Sequence, residues 1–232
     1  MAKHGKKYRA AADKLESNVV HEIPAAIEFL KSNQVAKFDE SAELAIRLGV
    51  DPTKSDQMVR GSVSLPHGTG KDVRVIVFAS GPAADAAREA GAVEVGFEDL
   101  IAKCQGGWTD FDIAVATPDA MKEVRKLGKV LGPRGLMPNP KTGTVTDDTA
   151  SAVNQFKAGR VEFKMDRHGN VMMAFGKLSF STEQLAENCE AAIKAVVGSK
   201  PAAAKGTFIK RCTVTSTMGP GLQVAMKEAA AA

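Results

Sequence analysis

The middle of the chain alternates short apolar runs with segments of helical periodicity, and this alternation constrains the fold more than any other feature. The runs 73–79 and 111–116 are apolar enough to be buried on both faces, as strands inside a parallel sheet are. Parallel strands need a crossover connection, which is usually a helix. Helices are predicted at 82–90, 97–105, 118–127 and 147–158, with a short apolar run at 93–95. The spacing predicts a doubly wound α/β unit with a parallel sheet.

The two flanks of this region show the alternation of apolar and polar residues that is typical of antiparallel strands. Strands are predicted at 57–65, 160–166, 171–175 and 207–217, with a hairpin turn at 167–170 between the second and the third. Residues 37–48 also alternate, and we assign a strand there, although their Ala and Glu content suits a helix equally well. Helices are predicted at 8–18, 24–33 and 181–197, the last with Ser181 or Thr182 as its N-cap.

The order of the two patterns along the chain predicts an insertion. We expect a discontinuous α+β domain made of residues 1–67 and 160–232, interrupted by an α/β domain made of residues 68–159. Insertions succeed at exposed loops and where the chain ends of the inserted domain lie close together. The expected crossings, near 66–70 and 159–160, both contain glycine.

Charge is distributed unevenly between the two predicted domains. The chain carries 31 Lys and Arg against 27 Asp and Glu, a net charge of +4 that does not by itself indicate nucleic acid. Residues 68–159 hold 11 basic and 12 acidic residues (−1), whereas the flanks hold 20 and 15 (+5). Within the insert, 71–119 hold 4 basic and 9 acidic residues, and 120–159 hold 7 and 3. Clustered positive charge attracts a polyanion more effectively than total charge does.

Composition excludes several classes of protein. A hydrophobic share of 44% and a charged share of 25% are typical of a globular chain, and no apolar run approaches the ~18 residues of a membrane span. The basic N-terminus, residues 1–7, is not followed by an apolar stretch, so we expect no secretory signal. Three widely spaced cysteines indicate free thiols in a reducing cytoplasm, and Cys104 and Cys189 are expected to be small core residues.

The sequence contains no pattern that would support catalysis or cofactor binding. A phosphate loop at 65–72 fails because Leu65 stands where its first glycine is required and Asp72 where Ser or Thr would hold Mg²⁺. No dinucleotide-binding glycine motif follows the strand at 73–79. The four histidines have no cysteine at metal-ligand spacing, and Asp147-Asp148 is expected to cap a helix. We therefore expect no enzyme, no cofactor and no metal.

One basic segment stands out, residues 121–143, in which six basic residues accompany one acid. Its glycines let a backbone approach a polyanion closely, and its prolines stiffen the chain. The basic residues that we expect to form a secondary binding loop are Lys126, Lys129, Arg134 and Lys141. A solvated helix end followed by an irregular connection explains the composition equally well, and the sequence leaves open whether rRNA, tRNA or neither binds here.

The core of this segment, Gly128–Lys141 (GKVLGPRGLMPNPK), closely resembles the signature of large-subunit ribosomal protein one, the family of the mobile lateral stalk of the ribosome. Three further blocks occur in the family's order: Ala36–Ser41 (AKFDES), Gly159–Lys164 (GRVEFK) and Thr215–Gly221 (TSTMGPG). The resemblance covers essentially the whole chain. The chain length and the short basic N-terminus resemble the bacterial members.

The resemblance implies the architecture that the pattern predicts, with a discontinuous rRNA-binding domain and a Rossmann-like inserted domain. It implies a structural protein of the large subunit that binds the rRNA of the lateral stalk and helps deacylated tRNA to leave the exit site. It also implies translational repression by binding of the protein to its own operon mRNA. We expect a cytoplasmic protein, monomeric within the ribosome and without a membrane partner.

Contact residues follow from the resemblance by motif. The RNA-binding residues that it implies are Lys37, Phe38, Ser41, Arg160, Lys164, Arg167, His168, Thr215, Ser216, Thr217, Met218 and Gly219. Phe38 and Met218 would pack on a ribose or a base, and the basic residues would supply the salt-dependent attraction. Ordinary alternatives exist: Phe38 could lie in the core, residues 213–217 could be a plain edge strand, and the 167–168 turn could be solvated.

Two other functional classes remain open on the sequence alone. One is an enzyme that uses the inserted α/β domain on a nucleotide, for which thermal stabilisation by a nucleotide would argue. The other is a protein–protein module whose basic segment docks on an acidic partner, and its binding would be insensitive to added rRNA.

Overall fold

The computed structural model describes residues 4–15 and 19–225, without the side chain of residue 141. The chain divides into two units. The first combines the chain up to Gly70 with the chain from Val161 onward, and the second is Lys71–Arg160. The first unit contains a four-stranded antiparallel sheet and the second a three-stranded parallel sheet. This mixture of parallel and antiparallel sheets agrees with the fold class predicted from the sequence.

The first segment of the first unit contains two helices and two strands: α1 (Lys6–Ala12), α2 (Ile23–Ser32), β1 (Ser41–Leu48) and β2 (Arg60–Ser64), with a 3-10 turn at Ser55–Gln57. The helix predicted at 8–18 begins and ends earlier, and its residues 16–18 lie outside the described part of the chain. Pro24 occupies the first turn of α2, where its missing N–H costs nothing. Residues 37–40 form a loop instead of extending β1, and the alternative helix for 37–48 is wrong.

The second unit alternates strands and helices: β3 (Val75–Phe78), α3 (Pro82–Glu89), β4 (Glu94–Gly96), α4 (Glu98–Gln105), β5 (Ile113–Ala116), α5 (Met121–Val124), α6 (Gly128–Leu131) and α7 (Thr149–Lys157). A 3-10 turn, Arg125–Leu127, joins α5 to α6. The helix predicted from Pro118 therefore begins only at Met121, and it continues past Leu127. The predicted cap at Asp148 is confirmed, because its Oδ1 accepts a hydrogen bond from Ser151 N at 3.0 Å.

The last segment completes the first unit: β6 (Arg160–Lys164), β7 (Asn170–Lys177), α8 (Thr182–Gly198), β8 (Ile209–Ser216) and β9 (Leu222–Gln223). Of the two N-cap candidates for α8, the structure selects Ser181. Its Oγ accepts from Gln184 N at 3.1 Å, and Gln184 Oε1 accepts from Ser181 N at 3.0 Å. This reciprocal capping box satisfies two backbone donors at the helix start.

The predicted hairpin of β6 and β7 is wrong. β7 pairs with β1 and β6 pairs with β2, and the two strands meet only at the bridge between Met165 and Val171. β1 pairs with β7 along the whole length of β7, from Arg47 opposite Asn170 to Ser41 opposite Lys177, while β6 is taken up by β2 in a separate sheet. The turn itself is as expected, with Gly169 at φ +79°.

The four-stranded sheet has the order β7-β1-β8-β9 and buries only one face. In β1, the side chains of Ala42, Leu44, Ile46 and Leu48 are buried, and those between them are not. The buried face belongs to the same apolar cluster as residues of α2 and α8, including Ile27 and Leu185. Helices cover one face of the sheet, and the other face carries exposed and half-buried side chains.

The parallel sheet has the order β4-β3-β5 and is buried on both faces. Val75 and Val77 of β3 belong to an apolar cluster that includes residues of α3 and α7. Ile76 and Phe78 belong to a second cluster that includes residues of α4, α5 and α6. The continuous apolar run of β3 is therefore explained by two helical layers. Among the described residues, no helix has the length and apolar character needed to span a bilayer.

Candidate nucleic-acid interface

The predicted RNA-binding residues of the first domain do not form one cluster. Most lie at one end of the four-stranded sheet, in the loop before β1 (residues 33–40, the α2–β1 loop), in the turn after β8 (residues 217–221, the β8–β9 turn) and at the adjoining strand ends: Lys37, Phe38, Ser41, Thr215, Ser216, Thr217, Met218 and Gly219. Arg167 and His168 lie in the turn before β7, at the opposite end of this sheet. Lys164 lies on β6 in the two-stranded sheet, and Arg160 belongs to the second unit.

A buried carboxylate, Glu40, joins the α2–β1 loop to the β8–β9 turn. Its Oε1 accepts hydrogen bonds from Val35 N at 3.0 Å and from Ala36 N at 2.7 Å. Its Oε2 accepts from Ser216 Oγ at 2.6 Å and from Met218 N at 3.1 Å. Glu40 is fully buried, so all four bonds are shielded from water. One side chain therefore fixes two segments that are far apart in the sequence.

The electrostatics of Glu40 agree with an ionised carboxylate. Burial alone would raise the pKa of this carboxyl, because it removes the charge from water. The hydrogen bonds from the Ser216 hydroxyl and from the backbone N–H groups of Ala36, Met218 and Val35 outweigh that effect, and the pKa of Glu40 is lowered. A buried charge is stable when it is this fully hydrogen-bonded.

Backbone and hydroxyl contacts extend the connection to the start of β1. Ser41 N donates to Thr217 Oγ1 at 3.0 Å, and Thr217 N donates to Ser41 O at 3.1 Å. Lys177 Nζ donates to Ser41 Oγ at 2.9 Å. Thr215 Oγ1 donates within the turn, to Gly219 O at 3.2 Å. These hydroxyls shape the surface from within, and Ser216 is itself buried, so we withdraw the expectation that its side chain faces RNA.

Two apolar side chains project from this fixed surface. Phe38 is 56% exposed and Met218 is 51% exposed. The alternative that Phe38 is a core residue is therefore wrong. Lys37 and Thr217 are also exposed beside them. An exposed aromatic ring on a rigid loop suits stacking on an unpaired base, and a thioether suits packing on a sugar.

The turn before β7 is held by Asp166. Its Oδ1 accepts from His168 N at 2.8 Å and from Asn170 N at 2.7 Å. The Asn170 backbone bond is the largest of the effects that lower the pKa of Asp166. The turn therefore leaves the side chains of Arg167 and His168 exposed.

Arg160 and Lys164 differ from the other predicted contacts. Arg160 is half-buried in the second unit, where it donates to Gln155 Oε1 at 2.6 Å and to Thr142 O at 3.1 Å and lies over the Phe156 ring. Its guanidinium thus holds the end of α7 and the segment after α6 within that unit. Lys164 is exposed at the end of β6.

The basic segment of the second unit is helical through Leu131, four residues beyond the predicted helix, and Arg134 lies in the turn that follows. Lys126, Lys129 and Arg134 are exposed, and the side chain of Lys141 lies outside the described part of the structure. Lys126 pairs with Glu123 at 2.5 Å, and Arg134 donates to Thr109 Oγ1. Such surface pairs contribute little and leave the lysines available to a polyanion.

The second unit also has a cavity of about 680 Å³ at the carboxyl ends of β3 and β4. A nucleotide-using enzyme would place phosphates at such an edge of a parallel sheet. The lining carries the acids Asp85, Glu94 and Asp99. Arg88 pairs with Asp85, and Lys103 pairs with Glu94. A phosphate would meet surplus negative charge here, so the lining argues against nucleotide binding.

The cysteines and the potential metal ligands offer no reactive centre. Cys104, Cys189 and Cys212 are buried, as small core residues are. Burial raises the pKa of the Cys212 thiol to about 12 and raises the pKa of Cys104 and Cys189 as well. Among residues 4–15 and 19–225, no group of three or more His, Cys, Asp or Glu side chains is placed to hold a metal ion.

Sequence reasoning missed Glu40, although it lies inside the block 36–41. An acid next to a loop is usually exposed, although Glu40 is in phase with the buried positions Ala42 and Leu44 of β1. The signal in the sequence that could have indicated burial of Glu40 is its position directly before β1, whose alternation of buried and exposed residues begins at Ser41. Pairing with the β8–β9 turn becomes visible only in the folded chain.

Comparisons with known proteins show which family this chain belongs to. The sequence profile of the ribosomal protein L1p/L10e family matches residues 30–220. Proteins named large ribosomal subunit protein uL1 are similar along nearly their entire length. The one from Cutibacterium acnes is 58% identical over 96% of both chains, and the one from a Nocardioides species is 57% identical over 94% of this chain and 91% of its own. The one from Lactobacillus delbrueckii subsp. bulgaricus is 54% identical over 97% of both chains.

The family match and the similar proteins show the class of this protein, which is a structural ribosomal protein and not an enzyme. The chain belongs to the ribosomal protein L1p/L10e family. The resemblance seen in the sequence blocks is thereby confirmed.

Proposed function

We propose that this constituent of the large ribosomal subunit binds rRNA of the lateral stalk, in the cytoplasm, through the surface formed by the α2–β1 loop and the β8–β9 turn. The observation that carries the proposal is the Glu40 carboxylate, which ties both segments together and leaves Phe38 and Met218 exposed above the tie. A protein that only needed to fold would gain by burying two such large apolar side chains. Their exposure on a rigid base favours a binding surface.

The chemistry of this surface suits an irregular RNA segment. A-form duplexes present little sequence information, whereas unpaired or splayed nucleotides offer base faces and sugars to stacking side chains. Phe38 supplies a ring, Met218 an apolar contact and Lys37 a positive charge for phosphate. We expect the RNA to be recognised mainly by shape and stacking, with a modest dependence on salt from the few cations at this end.

The test is a binding titration of the full chain with a transcript of the lateral-stalk rRNA. Replacing Phe38 or Met218 by Ala should cost about 1–3 kcal/mol of binding free energy, which is roughly a 5- to 150-fold rise in Kd. The matched control is Met58→Ala, which removes another exposed methionine, 43% exposed, from the same unit. Footprinting of the wild-type complex would then locate the protected nucleotides.

Kd values of Phe38→Ala and Met218→Ala that equal that of Met58→Ala would remove these two side chains from the interface. A wild-type chain that binds the transcript no better than an unrelated structured RNA of equal length would contradict rRNA binding itself. Circular dichroism of each variant checks that the fold is intact.

We also propose the repressor role, in which the same surface binds a leader segment of the protein's own operon mRNA. The proposal needs no further residues, because an mRNA that mimics the rRNA site would use the same contacts. Unlabelled leader transcript should then compete with the rRNA transcript, and Met218→Ala should weaken both complexes by a similar factor. Simultaneous binding of both RNAs would contradict a shared surface.

For the second unit we propose an inserted Rossmann-like, doubly wound domain, residues 68–159, whose basic segment contacts the tRNA leaving the exit site. The parallel sheet order β4-β3-β5 with apolar clusters on both faces supports the architecture. The exposed Lys126, Lys129 and Arg134 support the contact. Replacing Lys129 by Ala should slow tRNA release from reconstituted ribosomes without changing rRNA affinity.

A further inference from the structure

The open face of the four-stranded sheet places two arginines directly opposite each other. Arg47 of β1 pairs in register with Arg211 of β8, and residues opposite each other on antiparallel strands point to the same face. Both side chains are exposed. Opposed Cβ atoms of this kind lie about 4.5–5.5 Å apart, and like charges at that position destabilise a sheet. The pairing is therefore unfavourable in the free chain, and an anion between the two guanidinium groups would relieve the repulsion.

Within residues 4–15 and 19–225, no acid of this unit neutralises the pair. Among the described residues, neither Arg47 nor Arg211 forms an ion pair with an acidic side chain. The acid on the same face of β1, Glu43, lies four residues away, which is about 13 Å along a strand. Asp166, near the start of β7, already accepts hydrogen bonds from its own turn. Arg167 in that turn adds a further exposed positive charge at this end of the sheet.

The middle of the open face carries small and apolar side chains around Ala45, and the exposed Glu43 lies two residues nearer to Ser41. Ala45 lies opposite both Met172 of β7 and Thr213 of β8. Met172 is 64% exposed, the largest exposure among the large hydrophobic side chains of the described residues, and Ala174 beside it is small. Small side chains permit close approach by another backbone, and the methionine offers an adaptable apolar contact.

The face also continues the surface of Phe38 and Met218. β1 runs from Ser41, beside the β8–β9 turn, to Arg47, a length of about 20 Å. Thr215 and Thr213 of β8 lie between the two ends on the same face. A ligand held at the turn can therefore extend along the sheet to the arginine pair without crossing a helix.

We propose that this open sheet face, between the β8–β9 turn and the Arg47–Arg211 pair, binds the sugar-phosphate backbone of the same RNA that Phe38 and Met218 contact, and that the two arginines hold one phosphate together. The inference rests on the proposed rRNA binding and adds a second contact region to it. Two guanidinium groups from adjacent strands suit the several oxygens of a phosphate, which arginine binds in a bidentate manner.

The experiment is a titration of the full chain with the lateral-stalk rRNA transcript at several KCl concentrations. Arg47→Ala and Arg211→Ala should each raise Kd roughly tenfold, as expected for loss of a charge-assisted hydrogen bond. The double variant should reduce the slope of log Kd against log[KCl] by about one, which corresponds to one lost phosphate contact. The matched control is Lys194→Ala, which removes an exposed charge from α8, the helix on the covered side of the sheet.

A second readout separates this role from a structural one. Because each substitution relieves like-charge repulsion, the free variants should melt at the same temperature as the wild-type chain or higher, while they bind RNA more weakly. A variant that melts lower in proportion to its weaker binding would overturn the inference.

The inference would also be overturned if the arginine variants had the same Kd values and salt slopes as Lys194→Ala. That result is expected if the face binds an acidic protein instead of RNA. If the arginine variants are neutral while Met218→Ala still weakens binding, only this inference fails. If the wild-type chain does not bind the transcript at all, the proposed function fails first.

Discussion

At the scale of single residues, Glu40 shows how a charged side chain can organise a surface that it does not itself reach. Its carboxylate is buried and accepts four hydrogen bonds, two from the α2–β1 loop and two from the end of β8 and the turn after it. Hydrogen bonds to a charged acceptor are roughly twice as strong as neutral ones, and their geometry is restrictive. The backbone of Met218 and of the loop that carries Phe38 is therefore held in place before any ligand arrives. Preorganisation of this kind lowers the entropy cost of binding.

Replacing Glu40 by Gln should destabilise the chain by about 2 kcal/mol at pH 7. The amide keeps one oxygen but puts an N–H donor against the N–H of Met218, so that donor loses its partner. The pKa of Glu40 is lowered by folding, so the carboxylate stabilises the native state above the ordinary value of 4.5, and this contribution is lost as the pH falls through the folded-state pKa. Urea unfolding of both proteins at pH 7 and at about pH 3.5 should show the difference shrinking in acid.

Glu43→Gln is the control for this experiment, because Glu43 is exposed on the same strand and should change stability by less than about 0.5 kcal/mol. A Glu40→Gln penalty that stays constant down to pH 3.5 would contradict the role given to the ionised carboxylate.

At the scale of elements, the segment from α5 to α6 illustrates how packing overrides composition. Gly128 and the prolines from residue 133 onward favour an irregular connection, yet the backbone stays helical through Leu131. Val124, Leu127 and Leu131 are all fully buried in the apolar cluster on one face of the parallel sheet. Their spacing of three and four places them on one side of a helix, and burial of that side outweighs the low helix propensity of glycine.

The two glycines of this segment should respond oppositely to alanine. A Cβ at Gly132 would overlap the carbonyl oxygen of Gly128, so Gly132→Ala forces a backbone shift that costs about 1–3 kcal/mol. A Cβ at Gly128 meets nothing within 4 Å, and its backbone is already helical, so Gly128→Ala should stabilise by up to about 1 kcal/mol. Thermal unfolding of the two variants and the wild type measures whether Tm falls for Gly132→Ala and rises for Gly128→Ala. Equal shifts in Tm would contradict the close contact described between Gly132 and the Gly128 carbonyl.

At the scale of the whole molecule, each unit has its own apolar core. The largest cluster draws only on residues of the first unit, from Ala26 to Val224. The two clusters that cover the parallel sheet draw only on residues of the second unit, and their buried members lie between Val75 and Phe156. A unit with its own core does not depend on the other for burial of apolar surface, which is what independent folding requires.

Deleting Lys71–Arg160 and joining Gly70 to Val161 through a short flexible linker should therefore leave a folded first unit that binds the rRNA transcript. Keeping residues 68–70 preserves the Gly68 carbonyl, to which Asn188 Nδ2 donates at 2.9 Å. We expect a cooperative thermal transition by circular dichroism and a Kd close to that of the intact chain. A product without a cooperative transition, or one that is folded but does not bind, would contradict the insertion and the assignment of rRNA binding to this unit.

Local patterns determined much of this protein without the structure. The apolar run of β3, the cap at Asp148 and the α8 helix with a Ser or Thr cap follow from periodicity and capping chemistry, because these depend on residues close together in the sequence. The family blocks identified the class for the same reason, since they are contiguous.

Tertiary structure decided what depends on partners distant in the chain. β7 pairs with β1 and β6 pairs with β2, and each of these partners is distant in the sequence. Glu40 is buried because the last residue of β8 and the β8–β9 turn each supply one of its donors. Arg47 opposes Arg211 because two strands far apart in the sequence meet in that register. The sequence by itself determined the protein family and the residues that its motifs imply for RNA binding. Only the folded chain decided which of these residues share a surface, because that depends on contacts between distant segments.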